Sequence, residues 1–400
     1  MANPASYPPT IDYGTIQGDI IFGLPKKHQS FVFYTIENVT GFREALEKTI
    51  SQKLITTTAD VCKHRKDIKQ YRDDRYNNDP LAIMELVCLN IAFSSDGLRE
   101  LGIDEDLGDD KFTDGQFNTA VDDLGDPERK TTPTEPEWNP EFGEIIHVCF
   151  NFTGDCAATV KSHIVKLEGI FTVNGALVLK KVHQINGTVR PGKEKGKEHF
   201  GFQDDLSNPP IIGFREPNKG EVPTRPGVIL LGRPGDCDGD SEELVTRPSW
   251  TLDGSFFVLR QLCQRVPEFH AFVKKKSPKH GTELFGARMM GRWKSGASVY
   301  RNPTQDALGD ADDLNKVNNF NYVDGSSTMQ PQLECPFSAH LRKSLEMNPR
   351  VGFPGPNAVT DSRIIRHGIP YGPELTSEES HSKKTTEDRG LLFVSSFLYM

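Results

Sequence analysis

The sequence predicts an α+β protein made of two units, each built on an antiparallel sheet. Three observations lead there. Strand-like runs rich in aromatic and β-branched residues frame two helical stretches in the first half. The same plan begins again after residue 250, and a segment rich in Gly, Pro and Lys, residues 187–197, separates the two.

In the first half, residues 30–36 (Ser-Phe-Val-Phe-Tyr-Thr-Ile) read as a strand. Residues 40–54 follow with Phe42, Ala45, Leu46 and Ile50 at helical spacing. Residues 85–93 and 145–152 are the second and third strands, 157–167 the second helix, and 170–182 the fourth strand. The order β-α-β-β-α-β is the split βαβ plan of a ferredoxin-like sandwich. Residues 94–140, rich in Asp, Glu and Pro, read as a surface excursion between strands two and three.

The second unit starts with a strand at 255–262 and a helix from Val266, and has further strands at 362–366 and 390–398. That is β-α-β-β, ending at Met400. A second full copy would need another helix and strand, so this unit is expected to be incomplete. Its last strand is expected at an unpaired edge with Leu391, Leu392, Phe393, Val394, Phe397 and Leu398 uncovered. The expected boundaries are 1–190 and 191–400.

Composition narrows the function. A net charge of −9 disfavours nucleic acid as a partner, since phosphate binding needs a basic surface. No apolar run approaches the ~18–20 residues of a membrane span. No leader is visible, so the chain is expected in the cytoplasm or, if it is a mature or incomplete form, outside the cell. The seven cysteines include no CxxC pair and read as mostly reduced thiols.

Three clusters carry candidate chemistry. In residues 198–210 (Glu-His-Phe-Gly-Phe-Gln-Asp-Asp-Leu-Ser-Asn-Pro-Pro), a Gly, an Asp three residues on and a double proline make a tight loop. Such a loop can hold the Asp204 carboxylate in place, or Asp204 can simply bond its own backbone. In residues 334–343, His340 lies between apolar residues and a basic pair, facing a cofactor or sitting as an ordinary core or surface residue. In residues 363–372, Arg366 ends an apolar strand ahead of a Gly/Pro turn, as a site residue or a salt-bridged one.

Together these clusters resemble the fungal-type dye-decolourising peroxidases, whose marks are a Gly-x-x-Asp-Gly loop, a downstream proximal His and a distal Arg. The resemblance runs from residues 16–20 (Ile-Gln-Gly-Asp-Ile) to 390–394 (Gly-Leu-Leu-Phe-Val). It also takes in 90–93, 260–262, 266–269, 335–337 with 339–340, and 368–372, in that order.

The resemblance implies two ferredoxin-like units with one haem b in the second, and hydrogen peroxide and dye or other small-molecule reductants as partners. It implies His340 as the iron ligand, Asp204 as the acid–base that moves the peroxide proton, and Arg366 as the cation stabilising the departing oxygen. Phe202, Asp205, Leu392, Phe393 and Arg342 are the implied cofactor contacts, with Leu392 and Phe393 as an apolar distal wall.

Two departures stand out. Asp205 replaces the motif's second glycine, at a position that permits an unusual backbone angle. The helix, strand and acidic partner of the proximal histidine that relatives carry after 390–394 do not appear. Two further readings therefore stand beside an active peroxidase: a catalytically impaired haem-binding fragment of the family, and a cofactor-free ferredoxin-like interaction module. Trp250, Trp293 and Tyr322 are candidate radical-relay residues, or packing. Asp310, Asp312 and Asp313 are a candidate Mn²⁺ site, or a solvated acidic turn.

Overall fold

The computed structural model describes residues 11–75, 83–237, 244–278, 281–320, 334–345 and 362–398. It divides into two compact units. One comprises 11–187 with 245–256, and the other 188–244 with 257–398.

The first unit holds strands β1 (His28–Ile36), β2 (Val87–Phe93), β3 (Val148–Gly154) and β4 (Leu179–Thr188), in the sheet order β2-β3-β1-β4. β3 runs antiparallel to both neighbours, with Val32 opposite Phe150 and Leu89 opposite Phe152. Side chains alternate between sheet faces. The three longest helices beside the sheet are α1 (Val39–Ser51), α2 (Thr58–Arg75) and α3 (Ala157–Ile170). On one face Val32, Tyr34, Val148, Phe150 and Phe152 pack with Phe42 and Ala45 of α1 and with Val160, Ile164 and Leu167 of α3. The opposite face carries Gln29, Asn90 and Asn151, buried yet satisfied: Gln29 Nε2 donates to Asn151 Oδ1 at 2.8 Å, and Asn151 Nδ2 to Asp19 Oδ2 at 2.8 Å.

Three details differ from the sequence reading. The long helix α2, between α1 and β2, was not expected. It lacks an apolar stripe, Val61 being its one fully buried large aliphatic side chain. Its start is nevertheless written in Thr57-Thr-Ala-Asp60, where Thr57 and Asp60 bond reciprocally as a capping box.

The fourth strand begins at Leu179 rather than 170. Residues 172–177 instead form a hairpin that turns through Asn174 (φ 53°) and Gly175 (φ 80°), the Asn-Gly pair such turns favour. The 94–140 segment is more than an excursion: it contains short helices at Ser95–Glu100, Asp110–Asp114 and Gln116–Leu124, and buries Leu98, Leu101, Leu107 and Ala120.

The second unit holds β5 (Phe256–Cys263), β6 (Ile365–Arg366), β7 (Ile369–Tyr371) and β8 (Gly390–Phe397), with α4 (Val266–Lys276), α5 (Thr282–Met290), α6 (His340–Leu345) and α7 (Ser377–Ser382). β8 is not an edge strand. β5 pairs along one side of it, and β6 and β7 pair antiparallel along the other. Leu392, Val394 and Leu398 are buried, so the expected exposed edge does not exist.

The stretch read as a Gly/Pro turn after Arg366 continues as β7, with Pro370 opposite Leu391. The His367 N–H donates to the Val394 carbonyl at 2.9 Å. By the antiparallel alternation, the backbone groups of 366, 368 and 370 then face away from β8, where a proline's missing N–H costs no ladder bond. Ahead of β8, the Arg389 guanidinium donates to both Glu379 oxygens, and neither side chain is exposed.

Candidate active site

The loop carrying Asp204 is shaped by a buried glutamate. Glu198 accepts the N–H groups of Phe200 and Phe202, each at 2.8 Å, and the Gln264 amide, while burial raises its carboxyl above the usual range. The chain turns at Gly201 (φ 98°) and returns, so that the Asp204 N–H donates to the Gly196 carbonyl at 3.0 Å. Asp205 occupies the left-handed region at φ 61°, which aspartate tolerates better than most residues.

Asp204 and Arg366, 162 residues apart, meet here: Arg366 Nη1 lies 3.4 Å from Asp204 Oδ1. Both side chains keep about 30% of their surface exposed (29% and 30%), so the pair contributes only about 0–1 kcal/mol to stability. Its significance is placement. The same Asp204 oxygen, Oδ1, also accepts the Asp205 N–H at 2.8 Å.

Asp205 turns away from this pair. Its Oδ1 accepts the Asn208 Nδ2 at 2.7 Å. Asn208 in turn donates to the Arg366 carbonyl at 2.9 Å and accepts the Arg366 N–H at 3.0 Å.

His340 heads α6 and is exposed. Partial desolvation, then the positive charge of Arg366, lower its pKa, with Asp204 pulling the other way. The lowering favours the neutral imidazole, the form that ligates metals. His199, by contrast, is buried with Nε2 2.8 Å from the Tyr371 carbonyl.

Strand register sorts the remaining candidates. Arg366 lies opposite Ser395, and Pro370 opposite Leu391, so Leu391, Phe393, Ser395 and Arg366 share one face. Leu392 belongs to the other face with Ile369 and Val394 and is fully buried. Adjacent strand residues point to opposite sides, so Leu392 and Phe393 do not share a face, and Phe393 has Leu391 beside it on the face of Arg366. Leu391 and Ser395 escaped sequence reasoning, although the period of two could have found them. The Ser395 hydroxyl is buried and has no hydrogen-bond partner among the described residues.

Phe202 is buried edge-on to Phe269, with ring centroids 6.4 Å apart. Arg342 is buried, donates to the Cys335 carbonyl and lies 4.3 Å from the centroid of the Phe337 ring, bracing the segment that carries His340. Trp293 is buried with Nε1 bonded to the Asn302 carbonyl at 2.8 Å, whereas Trp250 is half exposed and donates to Glu105 at 2.7 Å. Tyr322 lies outside the described residues. Asp310 and Asp313 both pair with Lys316, at 3.3 and 3.4 Å. Among the described residues there is no group of three or more metal-binding side chains, and no helix long and apolar enough to cross a membrane.

The comparisons with known proteins agree in one direction. Residues 15–191 match the family model described as the DyP dimeric alpha+beta barrel domain. The chain is 38% identical to the dye-decolorizing peroxidase of Mycena epipterygia, over 96% of its own length and 69% of that protein's. It is 36% identical to dye-decolorizing peroxidase AauDyP1 of Auricularia auricula-judae, over 95% of this chain and 69% of the relative. Among solved structures, an ancestral D-type dye decolorizing peroxidase superposes with a TM-score of 0.85 at 44% identity, covering 98% of this chain and 81% of that one. A point mutant of the dye-decolorizing peroxidase from Pleurotus ostreatus gives 0.85 at 37%, covering 98% and 80%. With matches this extensive at this level of identity, the chain belongs to the dye-decolorizing peroxidase family, a family of haem peroxidase enzymes.

Proposed function

We propose that this chain binds one haem b in its second unit, with His340 as the iron ligand, and reduces hydrogen peroxide while oxidising dyes, phenols or similar bulky reductants. The observation that carries this reading is the meeting of Asp204 and Arg366 at 3.4 Å.

The side chains present fit such a group. Leu391 and Phe393 give the Arg366 face a half-exposed apolar surface, and the buried Ser395 hydroxyl beside them has no partner among the described residues. Neutral His340 supplies the donor nitrogen. When bound, haem supplies the iron at which peroxide is reduced. Asp204, fixed as an acceptor by the Asp205 N–H, takes the proton from one peroxide oxygen and returns it to the other. Arg366, always protonated, stabilises the negative charge that develops as the O–O bond breaks.

The test is the absorption spectrum of the purified chain before and after hydrogen peroxide, alongside a set of variants. His340→Ala is expected to lose the Soret band, whereas His199→Ala keeps it. Asp204→Asn and Arg366→Leu are expected to retain haem but react with peroxide about 10²–10⁴-fold more slowly. A normal Soret band in His340→Ala, or wild-type rates in both Asp204→Asn and Arg366→Leu, refutes the assignment. A Soret band without any peroxide reaction in the unmodified chain would favour the impaired fragment. No haem uptake at all would favour the interaction module.

A further inference from the structure

We infer that Asn208 is a positioning residue for Arg366, pairing with the main-chain groups that β6 turns outward, as a neighbouring strand would. Arg366 needs such a partner. Its N–H and C=O face away from β8, because His367, the next residue, is the one that bonds Val394. An outward-facing pair of backbone groups is normally satisfied by another strand or by water. Here one side chain satisfies both: Arg366 N–H donates to Asn208 Oδ1 at 3.0 Å, and Asn208 Nδ2 donates to the Arg366 carbonyl at 2.9 Å.

The amide cannot turn over without losing these bonds. Its second N–H is held by Asp205 Oδ1 at 2.7 Å, so only one orientation serves all three partners. The residue that departs from the family motif is therefore the one that orients the amide. Asp204, Asp205 and Asn208 belong to a single five-residue loop, which grips Arg366 twice: at the guanidinium through Asp204 and at the main chain through Asn208. Removing the second grip frees the arginine backbone to shift relative to the carboxylate, and misplacing a reacting group by about 1 Å can cost on the order of 10²-fold in rate.

This inference rests on the peroxidase reading, and its test separates the two. In the haem-loaded full chain, Asn208→Ala is expected to lower the second-order rate with hydrogen peroxide by about 10–100-fold. It should weaken cyanide binding, followed by the Soret shift, in the same sense. Haem content and the KM for a dye reductant should stay near wild type, while the melting temperature falls modestly with the three lost hydrogen bonds. Asn208→Asp, the same size but unable to donate to the Arg366 carbonyl, is expected to be similarly slow, and it serves if the alanine variant folds poorly. In an Arg366→Leu background, Asn208→Ala should add no further loss, since it acts through that arginine.

Wild-type peroxide and cyanide behaviour in both Asn208 variants, while Arg366→Leu alone is slow, would overturn the positioning role and leave the peroxidase reading intact. So would a full multiplicative loss in the double variant. Arg366→Leu reacting at the wild-type rate would overturn the parent reading and this inference with it.

Discussion

The register of β8 makes a sharp distinction between two neighbours that look alike in sequence. Leu392 is fully buried on the core face opposite Ile369, while Phe393 is half-buried on the face it shares with Arg366. Replacing a buried leucine by alanine costs about 2–5 kcal/mol, through lost transfer energy and the cavity left behind. Taking about 3 kcal/mol, a domain of this size should melt roughly 6–12 °C lower. Leu392→Ala is therefore expected to shift the urea midpoint substantially and leave haem affinity close to wild type once folded. Phe393→Ala removes a ring already partly in contact with water, so its stability cost should be smaller, about 1–2 kcal/mol. Its effect should appear as weaker haem binding, about tenfold, which corresponds to ~1.4 kcal/mol. Leu391→Ala should behave as Phe393→Ala does. Urea unfolding followed by far-UV dichroism, together with haem titration followed at the Soret band, measures both quantities. If Leu392→Ala lost haem with an unchanged midpoint while Phe393→Ala unfolded early, the two faces would be exchanged and the register argument refuted.

Two further outcomes follow from the same unit. Arg389 holds the Glu379 carboxyl well below its ordinary value of 4.5, so this carboxylate contributes stability that is present above that pH and lost as pH falls toward the folded-state value. The melting temperature of the wild type should accordingly drop on acidification below about 4.5, and Glu379→Gln should melt lower at neutral pH with a flatter acid limb; equal slopes would deny the pair this role. At position 205, Asp205→Gly relieves a left-handed backbone cost of about 1–2 kcal/mol but gives up the bond to Asn208, worth about 1 kcal/mol, so its urea midpoint should stay near wild type. Asp205→Ala loses the bond without relieving the backbone and should unfold earlier; the reverse ranking would count against the left-handed assignment.

How much could be read in advance depended on how each feature is encoded. The β-α-β-β-α-β order of the first unit was legible because β1 and β3 are central strands buried on both faces, and such strands must be written in aromatic and β-branched residues. α2 was not, because a helix covered mostly by charges has no apolar period to detect, and its capping box spans only four residues.

The site divides along the same line. Asp204, His340 and Arg366 could be named as candidates because their residue types suit the chemistry and their surrounding motifs resemble a family. Leu391 was within reach by counting in twos from Phe393. Asn208 was not, because what it binds is the main chain of a residue 158 positions away, and a backbone N–H and C=O look the same whichever side chain they belong to. Which residue needs an outside partner is decided by strand parity, and parity is fixed only once β6 has paired with β8. A side chain that completes a sheet edge thus leaves no mark in the sequence around its target. In this loop the one local hint was Asp205, whose tolerance of a left-handed backbone and whose carboxylate both serve the amide that holds Arg366.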